Sequence, residues 1–184
     1  MNRRLAVGIV VVLAAISPFA LSNAEATTIA PPPNLGQLAR ASQSVTFARA
    51  VESWVEDGDS IPYTVTRFHR LESVAGAPTG DVFEVREPGG RLAHRAAAVS
   101  GAPRYQAGQS YLLFLDRAPG HRWRSRMMAY GLLEAVPGKD LLRSLPEAAA
   151  IEVPAGLKST AETVGVYRQA ALLAHLREVA RGAQ

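Results

Sequence analysis

There is no cysteine anywhere in this chain of 184 residues. Without a thiol no disulfide can staple the fold and no lipid can be attached through a lipobox, so apolar burial and backbone pairing must hold the molecule together. Lysine is nearly absent too, standing only at Lys139 and Lys158, and the positive charge is almost all arginine. A formal net charge of +4, mild and dispersed, argues against a dedicated nucleic-acid binder and leaves only weak contact with anionic surfaces. No apolar run reaches the roughly 20 residues of a membrane-spanning helix. No internal repeat is visible.

What is present first is an export signal. Met1-Asn2-Arg3-Arg4 is a basic start, Leu5 to Ile16 an apolar run, and Ala24-Glu25-Ala26 the small-x-small pattern that a signal peptidase accepts. Residues 1–26 are therefore expected to be removed, with the mature chain starting near Thr27 and working in the periplasm or outside the cell. Arg3-Arg4 reads as an ordinary basic n-region, because the rest of a twin-arginine signal is missing. The mature chain should carry no transmembrane segment, and its length fits one domain with some tail.

Residues 27–33 end in three prolines and read as an extended spacer. Asn34 can cap a short helix over Leu35 to Ala41, with Leu35, Leu38 and Ala39 on its inner side. From Ser44 the periodicity becomes extended. Ser44 to Glu56 is a long strand with Val45, Phe47, Val51 and Val55 on one face, and Arg49 interrupting that face predicts a bulge or bend. Asp57-Gly58-Asp59 turns the chain into a second strand, Ile61 to Val74. Asp81 to Glu87 is a third, and Pro88-Gly89 predicts a type II turn that returns Leu92 to Val99 as a fourth.

Tyr111-Leu112-Leu113-Phe114-Leu115 does not alternate, so the strand Ser110 to Asp116 must be covered on both faces. Trp123 to Ala129 and Leu132 to Val136 read as closing strands. Residues 137–158 form a proline-punctuated connector. Ser159-Thr160-Ala161-Glu162 is a capping box that starts a helix over residues 159–181. Its stripe of Val166, Ala170, Leu173, Leu176 and Ala180, flanked by Leu172 and Val179, is the expected cover for the outer face of that strand.

Several of these residues carry a resemblance. Ser42-Gln43-Ser44-Val45, Trp54 before Asp57-Gly58, Pro88-Gly89-Gly90, Gly101-Ala102-Pro103 and Gly108 before Tyr111 to Leu115 resemble a poorly characterised family of exported bacterial proteins, some of which neighbour secreted metalloproteases. The resemblance covers Leu35 to Val136 and lies in turns and buried strands. More distantly the strand order is similar to the five-stranded OB barrel of netrin-like domains, which include tissue inhibitors of metalloproteinases. Those inhibitors chelate zinc through an amino-terminal cysteine, which this chain lacks, so the likeness implies a fold and not that mechanism. The resulting expectation is a mainly β protein, a small closed or partly open OB or netrin-like barrel over residues 34–136, with a short N-terminal helix and a C-terminal helix packed on it.

The chemistry-bearing residues are sparse. His69, His94, His121 and His175 have no H-x-x-x-H spacing and read as surface histidines, although His69 and His94 could face each other across strands. Asp57 and Asp59 read as turn residues, and Trp54 as a core aromatic. Ser100, Ser110, Ser125 and Ser144 lack a recognisable base, and there is no G-x-S-x-G elbow. No catalytic residue, cofactor or metal is expected. Basic and aromatic residues do gather at Arg67-Phe68-His69-Arg70, at Arg91 to Arg95 and at His121 to Arg126, and OB barrels grip strands and glycans with such surfaces. Arg67, His69, Arg122, Trp123, Arg124 and Arg126 are accordingly the candidate binding residues. The first functional reading is a non-enzymatic exported module engaging a protein partner, for which the resemblance implies a secreted peptidase. The alternatives are a binder of anionic polymers, glycan or nucleic acid, and a hydrolase.

Overall fold

The computed structural model describes residues 34–144 and 165–182. The export signal, the proline spacer and the capping box at Ser159 lie outside the described residues. Along the chain come helix α1 (Leu35–Ala41), strands β1 (Ser44–Glu56), β2 (Tyr63–Gly76), β3 (Val82–Pro88), β4 (Gly90–Arg91), β5 (Ala96–Ala97), β6 (Ser110–Arg117) and β7 (Trp123–Ser125). A 3-10 turn (Met128–Gly131) then leads to β8 (Leu132–Ala135), β9 (Leu141–Ser144), β10 (Val166–Arg168) and helix α2 (Gln169–Arg181).

Five of the strands close a barrel. β1, β2 and β3 form an antiparallel meander, β3 meets β7 in parallel where Val85 faces Trp123, and β7 runs antiparallel to β6. β6 then returns antiparallel along β1, from Leu115 opposite Ser44 to Ser110 opposite Arg49. Closure leaves none of these strands as a free edge, which a chain without disulfides needs both for stability and to avoid edge-to-edge association. The other edge of β6 is shared: β7 pairs with its end, and β8 pairs with its start and leads off the barrel through β9 to β10.

The doubly apolar β6 is covered on both faces, as its sequence required. Tyr111, Leu113 and Leu115 point into the barrel with Phe68, Phe83 and Trp123. Leu112 and Phe114 point outward into a second core, built with Leu35 and Leu38 of α1 and Leu172, Leu173 and Leu176 of α2. Both helices thus pack on the barrel. α1 is held by a reciprocal cap: Asn34 Oδ1 accepts the Gln37 amide at 2.9 Å, and Gln37 Oε1 accepts the Asn34 amide at 3.3 Å.

Several details depart from the sequence reading. α2 begins at Gln169 and not at Ser159, because Val166 and Tyr167 pair with β9 as a strand and bury Tyr167 in the helix-side core. Asp140, in the β8–β9 turn, receives the first helical amides instead, its carbonyl at 3.1 Å from Gln169 N and Oδ1 at 3.2 Å from Ala170 N. Part of the expected connector is β9. Leu92 to Val99 is not a barrel strand: the Gly89 amide bonds the Pro62 carbonyl at 2.9 Å, and beyond it β4 and β5 pair only with each other. The strand expected from Trp123 ends at Ser125, because Met127 and Met128 are left-handed (φ 60° and 54°).

The bulge in β1 is real and has a consequence. The register to β2 shifts between Ala50 and Glu52, leaving Val51 unpaired and 50% exposed. Before the bulge Ala48 and Ala50 face the interior; after it, Glu52, Trp54 and Glu56 face outward, because one extra residue inverts the alternation. Trp54 is therefore half-buried on the outer surface, and not a core aromatic. Its Nε1 donates to Glu56 Oε1 at 2.8 Å. Among the described residues no helix is long and apolar enough to cross a membrane.

Candidate functional site

The arginines that the sequence singled out are mostly engaged. On the outer wall Arg67 bridges Glu52 and Glu84, and Arg122 bridges Glu84 at 3.0 Å and Glu56 at 2.9 Å. The result is a ladder, Glu52–Arg67–Glu84–Arg122–Glu56, in which three carboxylates surround two guanidiniums. The hydrogen bond from Arg122, then that from Trp54, holds the Glu56 carboxyl below its ordinary range, and Glu56 in turn raises Arg122. Such a wall offers no surplus positive charge to an anionic polymer. Arg126 is bound through Nη1 to both oxygens of Asp116, at 2.8 and 2.9 Å. Trp123 is 1% exposed, so it presents no face to a ligand; it is a wall of the barrel core with the Arg117 guanidinium stacked 3.9 Å from its ring centre.

The remaining two candidates differ. His69 is exposed on the outer face of β2, paired in register with Arg49 and Val82. It does not meet His94, whose Nε2 lies 3.2 Å from Asp57 Oδ2. Arg124 is exposed, and its side chain makes no hydrogen bond or ion pair among the described residues.

Arg124 stands at a feature that sequence reasoning missed. A cleft of about 590 Å³ opens at the end of β3, lined by Tyr63, Arg86, Glu87, Arg124, Met127 and Met128 among others. Glu87 is only 3% exposed. Its Oε1 accepts the Ser125 amide at 2.9 Å and the Tyr105 hydroxyl at 3.2 Å. The Tyr105 hydroxyl also lies 2.6 Å from the Ser125 hydroxyl, a contact in which either oxygen can donate. Desolvation is the main cause that pushes the Glu87 carboxyl up, against the opposing pull of the Ser125 bonds and of Arg124. It also drives the Tyr105 phenol well above its ordinary value.

The rim of the cleft is shaped by backbone that few residues adopt. Adjacent left-handed methionines cost on the order of 1–3 kcal/mol each, a strain that persists only where surrounding structure over-determines it. Here the Arg126 amide bonds the Phe114 carbonyl at 2.8 Å and the Ala129 amide bonds the Gly101 carbonyl at 2.9 Å. Gly131 completes the turn, where a Cβ would fall 1.8 Å from the Arg126 carbonyl oxygen. Met127 packs partly against the helix-side core, and Met128 stands beside Gly101. Opposite them the Arg86 guanidinium lies 3.5 Å from the Tyr63 ring centre, with its Nε buried and without a hydrogen bond.

Glu87 escaped notice in the sequence because it ends a strand as an ordinary charged residue before Pro88. Alternation in β3 was the available signal: Phe83, Val85 and Glu87 share the inward parity. Among the described residues no group of three or more acidic or histidine side chains is placed to hold a metal ion. Comparison with protein families, with curated proteins and with solved structures finds no significant match for this chain.

Proposed function

We propose that this protein is an exported, non-enzymatic binding module, and that it takes a segment of a partner protein into the cleft at the end of β3. The observation that carries the reading is the pair of left-handed methionines on the cleft rim. Strained backbone concentrates at functional sites, and the unbranched thioether of methionine adapts to a partner's surface better than a branched side chain. Tyr63, backed by Arg86, supplies the aromatic contact opposite. A secreted peptidase is the partner class that the sequence resemblance implies.

The reading as a binder of anionic polymers has less support. Of its candidate cations, Arg67, Arg122 and Arg126 are balanced by carboxylates, and Trp123 is inside the core. The two readings part on salt. Contacts through methionine and tyrosine should hold a partner through moderate salt, whereas polymer binding weakens steeply as displaced counterions cease to drive it. The mature protein, immobilised and exposed to an extract of its own host, is expected to retain one protein whose capture survives salt. Met128→Ser should abolish that capture without lowering Tm. Capture that vanishes with salt, or is indifferent to Met128→Ser, would refute the proposal.

A further inference from the structure

The barrel ring closes over the first half of β1, and the strand then runs past it. β6 pairs with β1 from Ser44 to Arg49, and Ala50 makes the last contact, its amide bonding the Gln109 carbonyl at 2.9 Å and its carbonyl accepting the Gly108 amide at 2.8 Å. Beyond that point β1 continues to Glu56 with β2 as its one paired strand among the described residues. The direction of its remaining backbone groups follows from the rungs of β2. The Arg70 amide bonds the Asp81 carbonyl at 2.8 Å and the Gly89 amide bonds the Pro62 carbonyl at 2.9 Å, so the even-numbered residues of β2 face β3, and Tyr63, Val65 and Arg67 face β1. Their partners are Glu56, Trp54 and Glu52. The N–H and C=O groups of Ser53 and Val55 therefore point away from β2, along an edge that no described strand occupies. The 2.7 Å contact of Ser53 Oγ with Thr66 Oγ1 agrees, because side chains approach most closely at the rungs that exchange no backbone bond.

Exposed edges are normally blunted. The far edge of the same meander is, since Pro88 ends β3 and has no amide to offer. No proline stands between Val51 and Glu56. A strand laid along this edge turns alternate side chains to the side that Ser53 and Val55 face and to the side of Glu52, Trp54 and Glu56. On the first side lies a cavity of about 470 Å³, lined by Ser53, Thr64, Gly90, Ala97, Pro103 and Tyr105 among others, whose small and apolar walls suit aliphatic side chains. On the second, the Glu52 side chain is 54% exposed and that of Glu56 30%, and the cations that meet them, Arg67 and Arg122, reach them from the β2 side. Basic side chains suit the free side.

We infer that the free edge of β1 at Ser53 and Val55 is a strand-addition site: an extended segment of a partner protein, aliphatic and basic in alternation, continues the row that β6 leaves at Arg49 and pairs antiparallel to β1. Main-chain bonds hold the segment, and the cavity and the two carboxylates select its side chains. This contact is separate from the cleft at the end of β3 and does not depend on it.

The probe is a fluorescein-labelled peptide, Lys-Val-Lys-Val-Lys-Val-Lys, titrated with the protein and followed by anisotropy. In an antiparallel pair its valines turn toward the cavity and their amides point at β1, while the lysine amides point away. N-methylation of the valines is expected to weaken binding at least about tenfold, and N-methylation of the lysines to leave it within about twofold. Replacing the lysines by glutamates should also weaken it, because like charges then face Glu52 and Glu56. In the protein, Val55→Pro removes an edge amide that the fold does not use and should weaken binding at least about tenfold, whereas Met128→Ser should leave it unchanged. No binding by wild type, equal loss from both methylated peptides, tighter binding of the glutamate peptide, or unaltered binding by Val55→Pro would each overturn strand addition. A wild-type dimer that Val55→Pro makes monomeric would assign the edge to a second copy and overturn it too. The two sites fail separately, since Met128→Ser tests the cleft and the methylated peptides test the edge.

Discussion

At the scale of the residue, the same side-chain type does opposite work depending on its neighbours. Arg122 and Arg124 are two positions apart, and sequence alone ranks them equally. Arg122 lies between Glu56 and Glu84, with all three side chains at most 30% exposed, and removing it takes the ion pair from Glu56 and one of two from Glu84, leaving Trp54 and Arg67 as their partners. Arg122→Ser is therefore expected to cost about 1–2 kcal/mol, read from urea midpoints, because partly buried groups that lose a charged partner keep their desolvation cost. Arg124→Ser, exposed and without such bonds, should stay within about 0.5 kcal/mol of wild type. Equal losses in the two variants would mean that the ladder is not structural. The same logic explains why Glu87 was hidden: it becomes unusual through burial, and Tyr105 and Ser125, which help to enclose it, lie far from it along the chain.

At the scale of the element, α2 was legible as an apolar stripe but not as a boundary. Leu172, Leu173 and Leu176 are buried beneath Leu112 and Phe114, as the two-faced apolar β6 demanded. The start was misjudged because Val166 fits both a helical stripe and an edge strand. What decides is the pairing of Val166 to Arg168 with β9, a contact no local pattern contains. Leu176→Ala should cost about 2–5 kcal/mol in urea unfolding. Ending the chain at Leu157 removes β10 and α2, exposes Leu112 and Phe114, and should produce aggregation by light scattering. A truncated chain that stays monomeric with unchanged Tm would mean that α2 is not a structural cover. β1 makes a complementary point: Arg49 signalled the bulge, but its parity inversion, which carries Trp54 outward, required the register with β2.

At the scale of the whole molecule, the closed barrel with two helices accounts for a thiol-free chain that holds together by burial alone. One core lies inside the barrel and a second between β6 and the helices, and β6 is shared by both. Export remains part of the proposal and has a direct check. The mature protein purified from its host should begin at Thr27 by N-terminal sequencing, since Ala24 and Ala26 are the well-placed small pair after the apolar run. Retention of Met1 in exported material would refute it.

The sequence by itself determined the mainly β character, the long strands β1, β2, β3 and β6, the capped α1, and the need for a cover on β6. These follow from periodicity and capping, which act over a few neighbouring residues and are written into them. Tertiary structure alone decided the ring closure through the parallel β3–β7 contact, the fate of each arginine, and the cleft over Glu87. Each of those depends on groups brought together from distant parts of the chain. Burial, desolvation and ion pairing arise from that assembly, and no local pattern records them.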